Sequence, residues 1–316
     1  MLKENSMAIA VLCSHLCLGE GVKALEPKEW STLAQKLLEL KIQPYELLEF
    51  GSKDFKDKLG FDDTAAERYM RLIERSASLS FELSNYENMG IGIITRADSL
   101  YPSKLKKVLK NGCPPIFYYA GNLELLNNSF VGYVGSRTIG DNDFEMTKSF
   151  VRKTTDNGYF VVSGGAKGVD STAQEEAISN GAGAVAYLSD SLLRKIKKPE
   201  NIKAIQNNQL LYLSVVKPDS GFNAGIAMMR NKYIYAQSDA TIIIKSDYNK
   251  GGTWSGATAN LTNSWCPTLC WNNTRYPGNK ALIQKGALPI DENWDGNIKK
   301  TIENINSEKQ EQLSLF

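Results

Sequence analysis

From residue 129 onward, short runs that are apolar throughout alternate with segments of helical period. The apolar runs are Phe130–Val134, Tyr159–Ser163, Ala184–Leu188, Leu210–Val215, Ala240–Lys245 and Thr268–Trp271. A short run with no polar face suits a strand covered on both sides, as in a parallel sheet. The segments between them, near Asp143–Asp156, Val169–Ser179, Ile202–Asn207, Ala224–Gln237, Trp254–Asn263 and Asn279–Lys285, predict the crossover helices. Strand–helix alternation at this spacing predicts an α/β fold with an extended, Rossmann-like, doubly wound and mostly parallel sheet.

The first 88 residues read differently. Met7–Leu18, Pro27–Leu40, Pro44–Phe50 and Asp62–Leu83 predict helices, with Pro27 and Pro44 near helix starts, where a missing N–H costs nothing. In the last of these, Ala66, Tyr69, Met70, Ile73 and Ala77 recur at threes and fours. The expected organisation is a small all-helical domain over 1–88 and a junction over 89–128 that packs on the core. The Rossmann-like domain then spans 129–292, and a flexible tail 293–316. The junction has a short strand at Ile91–Thr95, a lysine-rich helix from Tyr101-Pro102 to Leu109, and an extended piece at Ile116–Tyr119. The Leu59-Gly60-Phe61 turn resembles a DNA-binding helical hairpin but lacks its Gly-x-Gly. An interaction role for the helical domain is the simpler expectation.

Charge sharpens this division. The whole chain of 316 residues has a formal net charge of only +2. Residues 1–90 carry 11 basic and 15 acidic side chains, residues 91–285 carry 23 and 14, and the remainder 3 and 6. A basic core between two acidic flanks suits an anionic partner for the core. The five cysteines are odd in number and no secretory pattern precedes them, so a cytoplasmic setting with reduced thiols is expected. No window supplies the roughly 20 apolar residues of a membrane span. The single histidine, His15, excludes a His-rich zinc site and leaves the core without a His-based triad.

In an open parallel sheet, ligands bind beyond the carboxyl ends of the strands. The first run is followed there by Gly135-Ser136-Arg137. The second ends in Ser163-Gly164-Gly165-Ala166-Lys167-Gly168-Val169-Asp170, the fourth in Ser214, and Gly251-Gly252-Thr253 follows the fifth. Glycines let backbone N–H groups approach a ligand, and a helix N-terminus then faces the same point. Arg137 and Lys167 add full charges. Together these loops predict a phosphate-binding rim, whereas Asp170, opening a helix, is more simply a cap. Neither a dinucleotide fingerprint nor a P-loop is present, and no cofactor is expected.

These residues resemble a family. Tyr101-Pro102, Pro115, Gly121-Asn122, Val134-Gly135-Ser136-Arg137, Ser163-Gly164-x-Ala166-x-Gly168-x-Asp170, Arg230-Asn231-Lys232 and Leu282-Ile283-x-x-Gly286-Ala287 fall in the order and spacing of the DNA-processing protein A (DprA, or Smf) family. The resemblance covers about residues 91–290. It implies a protein that binds single-stranded DNA without catalysing a reaction and pairs as a homodimer. It also implies loading of a RecA-type recombinase during natural transformation. It assigns phosphate contacts to Arg137, Lys167 and Arg230.

There are departures. Ala173-Gln174 replaces the family's Ala-His, Ser214-Val215 its Ser-Glu, and Lys232 its last Arg-Asn-Arg arginine. The family's Ser-Gly-Ser loop is Gly251-Gly252-Thr253-Trp254-Ser255-Gly256-Ala257 here. That marks a divergent branch, in a repair, recombination, uptake or defence setting. The altered loop is also similar to the Gly-Gly-x-Gly-Thr signature of nucleotide-cleaving enzymes, but without their glutamate. A nucleotide-binding sensor is therefore the alternative function, with Trp254 either stacking on a base or packing between helix and sheet.

The last five residues, Gln312-Leu313-Ser314-Leu315-Phe316, match a short motif by which bacterial repair and replication proteins dock on the DNA polymerase sliding clamp. Phe316 would be the main apolar anchor, with the acidic tail before it as a tether. The alternative is a tail that straps back onto the core.

Overall fold

The computed structural model describes residues 2–303. Its helices begin with α1 (Glu4–Cys13), α2 (Pro27–Leu40), α3 (Ser52–Asp57), α4 (Asp63–Glu74), α5 (Ser76–Asn88) and α6 (Ser103–Leu109). They continue with α7 (Asp141–Asp156), α8 (Val169–Ser179), α9 (Leu192–Ile196), α10 (Pro199–Gln206), α11 (Ala224–Gln237), α12 (Gly251–Asn263) and α13 (Pro277–Gln284). The strands are β1 (Gly92–Thr95), β2 (Ile116–Gly121), β3 (Phe130–Val134), β4 (Phe160–Ser163), β5 (Ala184–Leu188), β6 (Leu210–Ser214), β7 (Ala240–Ile243), β8 (Thr268–Trp271) and β9 (Leu288–Ile290).

The chain forms two compact units. The first holds everything described up to Ala120, with Asp190–Lys198 and Leu213–Gly221 returning to it; the second holds Gly121–Ser189, Pro199–Tyr212 and the chain from Phe222 on. Segment 89–128 is thus divided at Ala120.

In the first unit α1 is apolar on every side from Met7 on, and Ala8 through Cys13 are all buried, as such a helix requires. It stops at Ser14, whose backbone is extended, so the expected helix to Leu18 ends five residues early. Arg75 explains both this stop and a second departure. Its guanidinium is buried and donates to the carbonyl of Val11, in the last turn of α1, and to those of Ser14 and Leu16 just beyond it. To reach them the chain breaks at Arg75, and the single helix expected over 62–83 becomes α4 and α5. Asp62 caps α4 by accepting from the Ala65 N–H at 2.7 Å. Phe55 lies at the centre of an aromatic cluster with Phe50, Phe61 and Tyr69. Pro44–Glu49 is a 3-10 segment rather than an α-helix, and β1 pairs antiparallel with β2.

The sheet of the second unit runs β6-β5-β4-β3-β7-β8-β9, with the β3–β4, β3–β7, β4–β5, β7–β8 and β8–β9 pairs parallel. Every residue of β3, β5, β7 and β8 is buried, which is why they read as unbroken apolar runs. Right-handed crossovers put α7 and α8 on one face, packed together, and α11 and α12 on the other. The short β9 was not foreseen, because Leu288-Pro289-Ile290 is too brief and too proline-marked to stand out. The chain winds outward from β3 through β4 and β5, then returns to β7 on the other edge of β3. The topological switch point therefore lies between β3 and β7.

Candidate functional site

Two glycines bring the loops after β3 and β4 into direct contact, and a third brings α11 against the β4 loop. Gly168 has φ +80°, and a Cβ there would lie 2.4 Å from the Ser136 carbonyl oxygen. A Cβ on Gly135 would lie 2.4 Å from a Val169 methyl, and the Val169 N–H donates to Ser136 at 3.3 Å. Gly164 is the tightest of the three. A Cβ there would fall 1.6 Å from Nη1 of Arg230, so the guanidinium lies directly on the loop backbone. That same Nη1 donates to the Tyr187 carbonyl at 2.6 Å.

Asp170 is not the N-cap of α8, a place Gly168 takes. Its Oδ2 accepts instead from the N–H groups of Gly164 at 3.0 Å and Ala166 at 3.4 Å, and so holds the preceding loop in shape. Burial pushes its carboxyl up, with Arg230, the two N–H groups and Arg137 acting in the opposite direction.

Beyond the ends of β3 and β7 lies a cleft of about 530 Å³. One side is the β3 loop with Gly135, Ser136 and Arg137. A second is α11, including Arg230, Asn231 and Tyr235. The third is the α12 N-terminus with Gly251, Gly252 and Thr253, and Ala166 and Asp170 complete the lining. This is where an open parallel sheet offers a ligand site. The first N–H groups of α12 have no partner within the helix, and its dipole favours an anion there. Asn231 ties α11 to that terminus by donating to the Gly252 carbonyl at 3.0 Å.

Of the residues expected on the rim, Gly135, Ser136, Arg137, Asp170, Arg230, Asn231, Gly251, Gly252 and Thr253 line the cleft. Ser163, Gly164, Gly165 and Gly168 instead shape the loop beneath it. Lys167 is exposed on that loop outside the lining, and Lys232 lies outside it too, its ammonium 5.2 Å from the Tyr233 ring centre. Trp254 is buried edge-to-face against Tyr248, at 5.2 Å between ring centres, and does not line the cleft. Packing is thus its observed role. Gln312, Leu313, Ser314, Leu315 and Phe316 lie outside the described residues.

The cleft also holds residues that the strand-end rule did not pick out. Lys245 and Lys250 add two cations. Lys245 is anchored to Asp143 at 3.0 Å. Burial pushes the Asp143 carboxyl up, but the Tyr276 hydroxyl, the Gly140 N–H and Lys245 outweigh it and hold it below the usual aspartate value. Phe222, just before the α11 cap, is the other addition. The strand-to-loop turn after β7 could have flagged Lys245; nothing in the pattern singles out Phe222.

With this geometry in view, the comparisons decide the family. The model of DNA recombination-mediator protein A matches residues 92–301. The chain belongs to this family. One relative, DNA processing protein DprA of Streptococcus pneumoniae, is 30% identical over 155 residues, covering 48% of this chain and 51% of the relative. The chain thus spans about half the length of that relative. Protein Smf of Synechocystis is 25% identical over 280 residues, covering 80% of this chain and 70% of its own. The solved structure of the Streptococcus pneumoniae protein shares the fold, with a TM-score of 0.70 at 21% identity over 92% of this chain and 95% of that one. DNA processing protein A of Helicobacter pylori, whose structure concerns its single-stranded DNA binding mode, has a TM-score of 0.54 at 26% identity. That match covers 69% of this chain and 96% of that one. Among the described residues, no helix is long and apolar enough to cross a membrane, and no three His, Cys, Asp or Glu side chains group to hold a metal ion.

Proposed function

We propose that the second unit binds single-stranded DNA without catalysing a reaction, in a recombination or repair setting. The observation that carries this reading is the cleft at the β3–β7 switch point. Arg137, Lys245, Lys250 and the α12 N-terminus converge there, on a chain of the recombination-mediator family. The Helicobacter pylori relative's single-stranded DNA binding supports it. Phosphate contacts of this kind give affinity without sequence preference. Gly135, Ser136 and Thr253 would approach the backbone, Arg137 would be the main exposed cation, and Lys167 and Lys232 would extend the track beyond the cleft.

On this reading the helical residues 1–88 recruit rather than read DNA, a RecA-type recombinase is the protein that receives the strand, and a second copy of the chain extends the DNA track. Residues 312–316 dock on a sliding clamp. Thermal unfolding in the presence of oligo-dT or of mononucleotides is the direct test. A rise in melting temperature with oligo-dT supports the proposal. A rise with mononucleotides alone favours the sensor reading instead.

A further inference from the structure

The cations of the cleft are not alike. Arg137 and Lys250 are exposed, whereas Lys245 is held on several sides. The backbone around it is clamped. Its carbonyl accepts from the Ser136 N–H at 3.0 Å. The fully buried Asn279 accepts from the Ser246 N–H at 2.8 Å and donates to the Ile244 carbonyl at 2.9 Å. A Cβ on Gly278 would lie 2.1 Å from the Ser246 carbonyl oxygen, so the start of α13 rests directly on this segment. The Lys245 ammonium lies 5.2 Å from the Tyr276 ring centre and 3.0 Å from the Asp143 carboxylate.

Asp143 is buried, with its side chain 2% exposed, and lies outside the cleft lining. Three donors converge on it: the Gly140 N–H at 3.0 Å, the Lys245 ammonium and the Tyr276 hydroxyl. Capping α7 needs only the first, which a neutral side chain also accepts. The other two go beyond a cap and hold the carboxyl ionised where solvent hardly reaches. If Lys245 left for a phosphate, that carboxylate would stay buried without its cation, the costly outcome for such a pair. Lys245 therefore stays with Asp143. A charge balanced in this way neutralises no phosphate and releases no counterion.

We infer that Asp143 is a positioning residue that restrains Lys245, so that the cleft holds its strand with one cation fewer than it contains and releases it more readily. The inference rests on the single-strand reading above. Asp143 acts through Lys245 and does not touch the strand. Arg137 and Lys250 carry the phosphate grip. A strand held for transfer must also be given up, and a buried counter-charge sets that balance without altering the surface.

The test measures oligo-dT affinity across a salt series for wild type, Asp143→Asn, Lys245→Met and the double replacement. Asparagine keeps an oxygen for the Gly140 N–H and for Lys245 but carries no charge. Asp143→Asn is therefore expected to bind about fivefold more tightly at low salt, with a slope steeper by about 0.7. Adding Lys245→Met should remove that gain. Lys245→Met alone should reduce the slope by clearly less than Arg137→Ala does. A role for Asp143 in stability alone would leave the slope unmoved, and thermal unfolding confirms that each variant is folded at the assay temperature. If Asp143→Asn binds no more tightly than wild type, or if Lys245→Met loses a full phosphate increment, the restraint is wrong while strand binding stands. The two comparisons are independent, so either one decides if the other variant does not fold. If wild type does not bind oligo-dT at low salt, the single-strand reading fails and takes the restraint with it.

Discussion

Arg230 fills the space that a side chain on residue 164 would need. Its Nη1 lies 1.6 Å from the position of a Gly164 Cβ and donates to the Tyr187 carbonyl at the end of β5. The β4 loop, the β5 end and α11 are therefore locked through one guanidinium. Gly164→Ala must push Arg230 away, because neither the loop backbone nor the helix can yield by that much. The expected cost is about 1–3 kcal/mol, from overpacking and the disturbed hydrogen bond. Urea unfolding measures it, and a change below about 0.5 kcal/mol would contradict the packing described.

Arg75 performs a similar task in the first unit. Replacing it with Met keeps much of the volume but leaves the carbonyls of Val11, Ser14 and Leu16 without their donor in a buried place. The expected loss is about 3 kcal/mol or more. Arg75→Lys should recover little of it, since an ammonium cannot present the planar fork that spans three carbonyls. Thermal unfolding of the three proteins orders them.

Asp143 makes stability depend on pH. Its folded carboxyl is held below the ordinary aspartate value, about 3.9 in an unfolded chain. A depressed acid stabilises fully above the unfolded value and loses that contribution as pH falls through the folded one. Stability should therefore decline below about pH 4, and Asp143→Asn should flatten that acid limb while lowering stability at pH 7. Asp170 works in the opposite sense: with its carboxyl raised by burial, it lowers stability as pH rises past the unfolded value. Denaturation at a series of pH values separates the two.

Removal of residues 312–316 tests the clamp reading by itself. Loss of binding to an isolated sliding clamp, with oligo-dT affinity unchanged, is the expected result. Equal clamp binding by the shortened chain would discard it.

These outcomes also show what the one-dimensional pattern can carry. Phe130–Val134, Ala184–Leu188, Val169–Ser179 and Ala224–Gln237 begin and end where their hydrophobic pattern says, because their burial is set by the two-sided sheet itself. The break at Arg75 could not be seen. A polar residue there fits the exposed face of one long helix, and the carbonyls it serves lie about 60 residues earlier. The glycines of the loops after β3 and β7 line the cleft, whereas Ser163, Gly164, Gly165 and Gly168 lie outside its lining. Lys245 was read as the end of a strand, but β7 stops at Ile243, and its partner Asp143 is 102 residues away. Phe222 is a lone aromatic in a polar loop, and only the fold sets it against Arg137.

We propose that this cleft holds the phosphates of an unpaired strand, with Arg137 as its main exposed cation. The affinity of wild type and Arg137→Ala for oligo-dT across a salt series tests it most directly. For wild type, log K should fall linearly with log salt, at a slope of about −0.7 per phosphate contact on a single strand. Arg137→Ala should bind more weakly at every salt concentration, with the slope reduced by about that one increment. Equal affinity and equal slope for the two proteins would contradict the account.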